Sequence, residues 1–123
     1  MIGLLVLVNA PYFNVNINTA ASKLRPHLII GQLDSTDYTA LPLSTIYHKT
    51  NVHKTFDLEL NPETYPFLNI KQVCFVRVHK SVVVNKTAMS HVLCDVKKTY
   101  SDLFVDIMIL FEDYCKWLLY GSI

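Results

Sequence analysis

The apolar positions change period once along the chain. As far as His91-Val92-Leu93 they fall in short runs or alternate in steps of two; beyond Thr99 they recur every three or four residues. Gly3-Leu4-Leu5-Val6-Leu7-Val8 is a continuous apolar run, which predicts a strand covered on both faces. The next stretch, Asn9 to Thr19, is rich in asparagine and holds Pro11, so it predicts a long loop or loose hairpin. Leu28-Ile29-Ile30-Gly31 predicts a second strand and Tyr38 to Ile46 a third around Pro42, with Asp34-Ser35-Thr36-Asp37 as the polar turn between them. Tyr47 to Thr55 is polar and reads as a loop. Phe56, Leu58 and Leu60 alternate with Asp57 and Glu59, the pattern of a strand with one wet face, and Asn61-Pro62-Glu63 breaks it. Val73 to Val78, Val82-Val83-Val84 and His91-Val92-Leu93 complete the strand-like runs.

Leu103, Ile107, Leu110, Phe111, Tyr114 and Leu118 then repeat at helical spacing, with Asp102, Asp106, Asp113 and Lys116 on the other side. Thr99 followed by Asp102 resembles a capping box, and Gly121 is placed to end the helix. Phe104, Met108 and Cys115 widen the apolar stripe beyond the needs of one small sheet, which suggests a second buried surface or a dimer. The expected fold is mainly β with a C-terminal helix: a small, strongly bent sheet or barrel with the helix packed on it, as a single domain over residues 1–123. There is no GxGxxG and no P-loop, which removes the nucleotide-binding α/β folds.

Composition sharpens this picture in three places. Half the residues are hydrophobic and 17% are charged, so a filled core is expected and disorder is not. The net charge of +1 argues against a protein that coats nucleic acid nonspecifically, but leaves room for a focused site where a few arginines meet a phosphate. Cys74, Cys94 and Cys115 are odd in number, lack CxxC spacing and match no zinc pattern, so buried free thiols in a reducing compartment are expected. The opening apolar run is too short for a membrane span and lacks a basic flank. A cytoplasmic protein without metal or cofactor is the expectation.

Polar groups interrupt apolar strands in three segments: Lys23-Leu24-Arg25-Pro26-His27, Leu41-Pro42-Leu43-Ser44-Thr45 and Phe75-Val76-Arg77-Val78-His79-Lys80. Arg77 and His79, two apart, would share a strand face. Read in order, Arg25-Pro26-His27-Leu28-Ile29-Ile30, Ala40-Leu41-Pro42-Leu43-Ser44 and Val76-Arg77-Val78-His79-Lys80 resemble the PemK/MazF family of toxin ribonucleases. That family shows an RP pair before an aliphatic strand, a PxS or PxT strand end, and a later VRxxK- or VRxD-like segment.

The resemblance implies an SH3-like barrel, a homodimer, an antitoxin whose disordered tail covers the RNA groove, and growth inhibition by metal-independent cleavage of single-stranded RNA through 2′-hydroxyl attack. Arg25 matches the arginine of the RP motif, Ser44 stands where many members have threonine, and Arg77 matches a second arginine. His79 departs from the family where some members carry an acidic residue. The chemistry suits these types: a guanidinium donates two hydrogen bonds to phosphoryl oxygens gathering charge, so Arg25 and Arg77 are the candidates for that work. His79 is the candidate acid or base, and Ser44 or Thr45 would hold the phosphate. Lys23, His48 and Lys80 are further candidate RNA contacts, and Tyr12 could stack on a base.

Plainer readings stand beside these. Arg77 could pair with Asp57 or Glu59 across a sheet, and Ser44 and Thr45 could bond backbone at a strand end. His48 and His53 could be solvated loop histidines, and His27 a structural one. A non-catalytic relative that binds RNA or protein through the same groove is the alternative function, motivated by His79 and the near-neutral charge. A CcdB-like gyrase poison is a further one, with Trp117 as its faint echo.

Overall fold

The computed structural model describes the backbone at residues 1–14 and 19–121, and the side chains of these except for 11–14 and 19–22. Among the described residues seven strands form one antiparallel sheet: β1 Leu4–Asn14, β2 Thr19–Gln32, β3 Asp37–Ser44, β4 Asp57–Leu60, β5 Cys74–Arg77, β6 Val82–Asn85 and β7 Met89–Asp95. A short helix α1, Val96–Thr99, and a long one, α2, Ser101–Tyr120, follow. The sheet order is β4-β5-β3-β2-β1-β7. The first half of β3 pairs with β6 (Asp37↔Asn85 to Ala40↔Val82) and its end pairs with β5 (Leu43↔Val76, Ser44↔Phe75). The path from β4 to β7 does not close among the described residues. Among these residues no helix is long and apolar enough to cross a membrane.

The unbroken apolar runs of β1 to β3 follow from burial on both faces. Leu5, Leu28, Leu41 and Leu43 turn to one side and pack with Val76 and with Leu103, Phe104 and Ile107 of α2. Val6, Val8, Ile29 and Ala40 alternate with them and form a second cluster with Tyr38 and Val84. Register shifts in β1–β7 at Leu5/Val6 and Leu7/Val8, and in β2–β3 at Ile29/Gly31, mark bulges, and bulges bend a sheet. Gly3 is required where β1 begins: its φ is 94°, and a Cβ there would overlap the Cβ of Lys97. Its carbonyl accepts from the Val96 and Lys97 amides at 2.9 and 3.3 Å, which ties the start of β1 to α1.

One local expectation is narrowed and two are corrected. Of the two readings of the Asn-rich stretch, loop or hairpin, the structure shows the hairpin as far as Asn14: β1 and β2 pair from Ala10↔Lys23 out to Asn14↔Thr19, and ladder pairing overrides the turn preference of single asparagines. Thr99 does not cap the long helix. It ends α1, whose cap is Asp95 (Lys98 N–H to Oδ1, 3.1 Å), and Tyr100 at φ −131° and ψ 64° separates the two helices. His79 does not extend a strand; Val78–Lys80 is a 3₁₀ turn after β5. Gly121 does end α2, in the left-handed conformation at φ 71°.

Candidate functional site

The middle of β2 and the end of β3 meet at a groove of about 650 Å³. Its floor is apolar, with Leu7, Pro26, Leu43, Cys74 and Leu93. Lys23 and Arg25 line it from β2, Ser44, Thr45 and Tyr47 from the end of β3, and Asn69, Lys71 and Gln72 from the loop before β5. The register explains the meeting: the β2–β3 ladder ends at His27↔Pro42, and continued by two residues it sets Arg25 across from Ser44. His27 is buried and its Nδ1–H donates to the Arg25 carbonyl at 2.9 Å, which fixes the backbone beside the arginine. Burial holds the His27 imidazole below its ordinary pKa, outweighing the bond to Arg25, so it serves as a neutral support.

The far wall is pinned independently. Asn69 takes a left-handed conformation, φ 60°, and its side-chain amide donates to the Leu93 carbonyl of β7 at 2.7 Å. The Gln72 amide nitrogen donates to the Thr45 hydroxyl oxygen at 3.1 Å. Tyr47 is 81% exposed at the rim, an unusual position for an aromatic ring. Lys23, Arg25 and Lys71 give the groove cations, and no carboxylate lines it among the described residues. Residues 11–22, whose side chains are undescribed, include no Asp, Glu, Lys, Arg or His.

Arg77 and His79 stand apart from this groove, in a second cluster built on Asp57. The Asp57 side chain has no solvent exposure; Arg77 bonds both its oxygens, Nε to Oδ1 at 3.0 Å and Nη2 to Oδ2 at 3.2 Å. The His53 amide also donates to Oδ2 at 2.7 Å, and Arg77 Nη2 reaches the Asn51 carbonyl at 3.2 Å. His79 places Nδ1 3.7 Å from Asp57 Oδ1, too far for a hydrogen bond, and that atom is buried without a partner among the described residues. Burial lowers the His79 pKa; Asp57 opposes this, while Arg77 and His53 add to it. The His53 ring lies against His79 with centroids 4.7 Å apart and planes tilted by 42°, and its Nδ1 accepts from the Thr55 and Phe56 amides at 3.2 and 3.1 Å. His53 is thus an exposed loop histidine, as expected, whose ring also holds the turn into Phe56. Phe56 carries the aromatic contacts on to α2, edge-on to Tyr114 and tilted against Trp117, with centroids 5.2 and 5.9 Å apart.

The structure therefore brings together Lys23, Arg25, Ser44 and Thr45, and separately Arg77 and His79. Lys80 and His48 are exposed and line neither the groove nor the Asp57 cluster. Tyr12 pairs with Ala21 in the β1–β2 ladder, and its side chain lies outside the described residues. Sequence reasoning passed over Tyr47, Asn69, Lys71 and Gln72. The available signal was a polar Lys-Gln pair just before a strand that neighbours the Ser44 strand end. No family model and no curated protein matches the chain.

Proposed function

We propose that the protein is a PemK/MazF-type endoribonuclease that binds single-stranded RNA in the Arg25 groove and cuts it without a metal. One observation carries the reading: two sequence segments about twenty residues apart place Lys23 and Arg25 beside Ser44 and Thr45, in a groove without carboxylates among the described residues. A cationic, partly apolar channel with an exposed tyrosine at its rim suits a phosphate backbone whose bases are free to stack. In the reaction the 2′-oxygen bonds to the adjacent phosphorus, the P–O5′ bond breaks, and a 2′,3′-cyclic phosphate and a 5′-hydroxyl result. Arg25 would hold the phosphoryl oxygens as their charge grows, and Ser44 or Thr45 would donate to the same group. The proton from the 2′-hydroxyl passes to solvent, and the 5′-oxygen takes one from solvent.

The same proposal takes the bent sheet as an SH3-like barrel, a second copy of the chain as its partner, and an antitoxin tail as the natural cover of the groove. A non-catalytic RNA-binding relative is the second reading. It is favoured by one feature: neither a histidine nor a carboxylate lines the groove among the described residues. The test is cleavage of a long single-stranded RNA in EDTA by the wild type and by Arg25→Ala, with binding of a 2′-deoxy analogue measured beside it. Cutting at discrete sites that drops by about a hundredfold or more in the variant supports the nuclease. Binding without cutting selects the second reading, and an RNA that is neither bound nor cut overturns both.

A further inference from the structure

We propose that Gln72 is a positioning residue for the Thr45 hydroxyl, turning it into a hydrogen-bond donor aimed at a phosphate in the groove. The inference rests on the groove being the RNA site. Gln72 and Thr45 are 27 residues apart in sequence, and the bond between them, 3.1 Å, joins the loop before β5 to the end of β3. A threonine hydroxyl has one proton and two lone pairs. With the Gln72 amide nitrogen donating into one lone pair, the hydroxyl's own proton is left for another acceptor. Thr45 and Gln72 both line the groove, where the ligand expected beside Arg25 is an acceptor-rich phosphate. A donor that is itself receiving a hydrogen bond is polarised in the direction that strengthens its own donation.

The loop is held well enough to do this. The left-handed turn at Asn69 and its 2.7 Å bond to the Leu93 carbonyl anchor the segment on β7, so Gln72 approaches Thr45 from a wall fixed at a third strand. Thr45 follows the last ladder pair of β3, Ser44↔Phe75, so its side chain is not oriented by strand pairing of its own residue. Nothing else bonds the Thr45 side chain among the described residues. Gln72 thus decides which way that hydroxyl turns. Replacing its amide with a carboxylate, which only accepts, would take the hydroxyl proton away from the phosphate and place a negative charge in the groove.

The experiment is a double-mutant cycle in the full chain: wild type, Gln72→Ala, Thr45→Val and the double variant, with Gln72→Glu as a fifth protein. Single-turnover cleavage rate and affinity for a 2′-deoxy RNA analogue are read separately. Gln72→Ala should slow cleavage by about two- to tenfold, the worth of one neutral hydrogen bond, and should have no further effect once Thr45 is valine. Gln72→Glu should fall below Gln72→Ala. Thermal midpoints should stay together, because Gln72 is exposed. Equal losses from Gln72→Ala in both backgrounds, or full activity in Gln72→Glu, would overturn the role of Gln72 while the wild type still cuts. A wild type that binds without cutting moves the same cycle to affinity. A wild type that does neither overturns the groove reading and this inference with it.

Discussion

Arg77 and Asp57 stand directly opposite each other in the β4–β5 ladder and close a two-point ion pair, at 3.0 and 3.2 Å, over a carboxylate with no solvent exposure. The pair commits Arg77 to the fold. Arg77→Ala would leave a buried carboxylate with the His53 amide but no counter-charge, at a cost of about 3 kcal/mol or more. Urea unfolding should show that loss, and Arg77→Met with Asp57→Leu should recover most of it. A stable Arg77→Ala that binds RNA normally and cannot cut would instead assign Arg77 to the chemistry.

Acid should weaken the fold through two histidines. Burial holds both His27 and His79 below the ordinary value of 6.5. The unfolded chain therefore takes up protons first as pH falls. The stability tied to the neutral rings is complete above about pH 6.5 and is lost from there downward, toward the folded values. Thermal midpoints between about pH 7.5 and pH 5.5 should fall, and His79→Gln should flatten part of that fall. A midpoint that does not move over this range would mean that neither ring is buried neutral.

Salt should report the groove cations one at a time. With Lys23, Arg25 and Lys71 each meeting a phosphate, the slope of log affinity against log salt for single-stranded RNA should be about −2. Lys71→Gln should make it shallower by about 0.7, and so should Lys23→Gln. Lys80→Gln, away from the groove, should leave it unchanged.

Thiol chemistry should separate the cysteines. Burial pushes the Cys74 thiol up to about 11 and raises that of Cys94, whereas Cys115 is only partly buried on α2. A disulfide reagent at about pH 8 should modify Cys115 first and spare Cys74 in the native protein. Rapid modification of Cys74 would show that the groove floor opens more than its packing allows.

The strand runs, the helical repeat from Leu103 onward and its stop at Gly121 were legible because each is a local pattern, read over a few residues. The hairpin formed by β1 and β2 was legible only as one of two readings, beside a loop. Asparagines prefer turns singly, and only the partner strand, supplied from residue 19 onward, fixes them in a ladder. The helix cap was misplaced because the helical stretch is two helices: Tyr100, outside the helical conformation, separates α1, capped by Asp95, from α2, so Thr99 ends the first and does not begin the second.

The candidate site divides in the same way. The sequence by itself determined which residue types were present and roughly which strand ends held them: an arginine before an aliphatic strand, hydroxyls closing another, a basic segment closing a third. Only the tertiary structure decided who meets whom. The β2–β3 register, which ends at His27↔Pro42, leads Arg25 and Ser44 to one groove, whereas the β4–β5 register sets Arg77 across from Asp57, so two arginines of equal promise stand in different surroundings. Gln72 reaches Thr45 only because a left-handed turn at Asn69 is tied to β7. Side-chain chemistry is written residue by residue, but a site is a set of distances, and distances between segments are fixed by register, bulges and packing on α2.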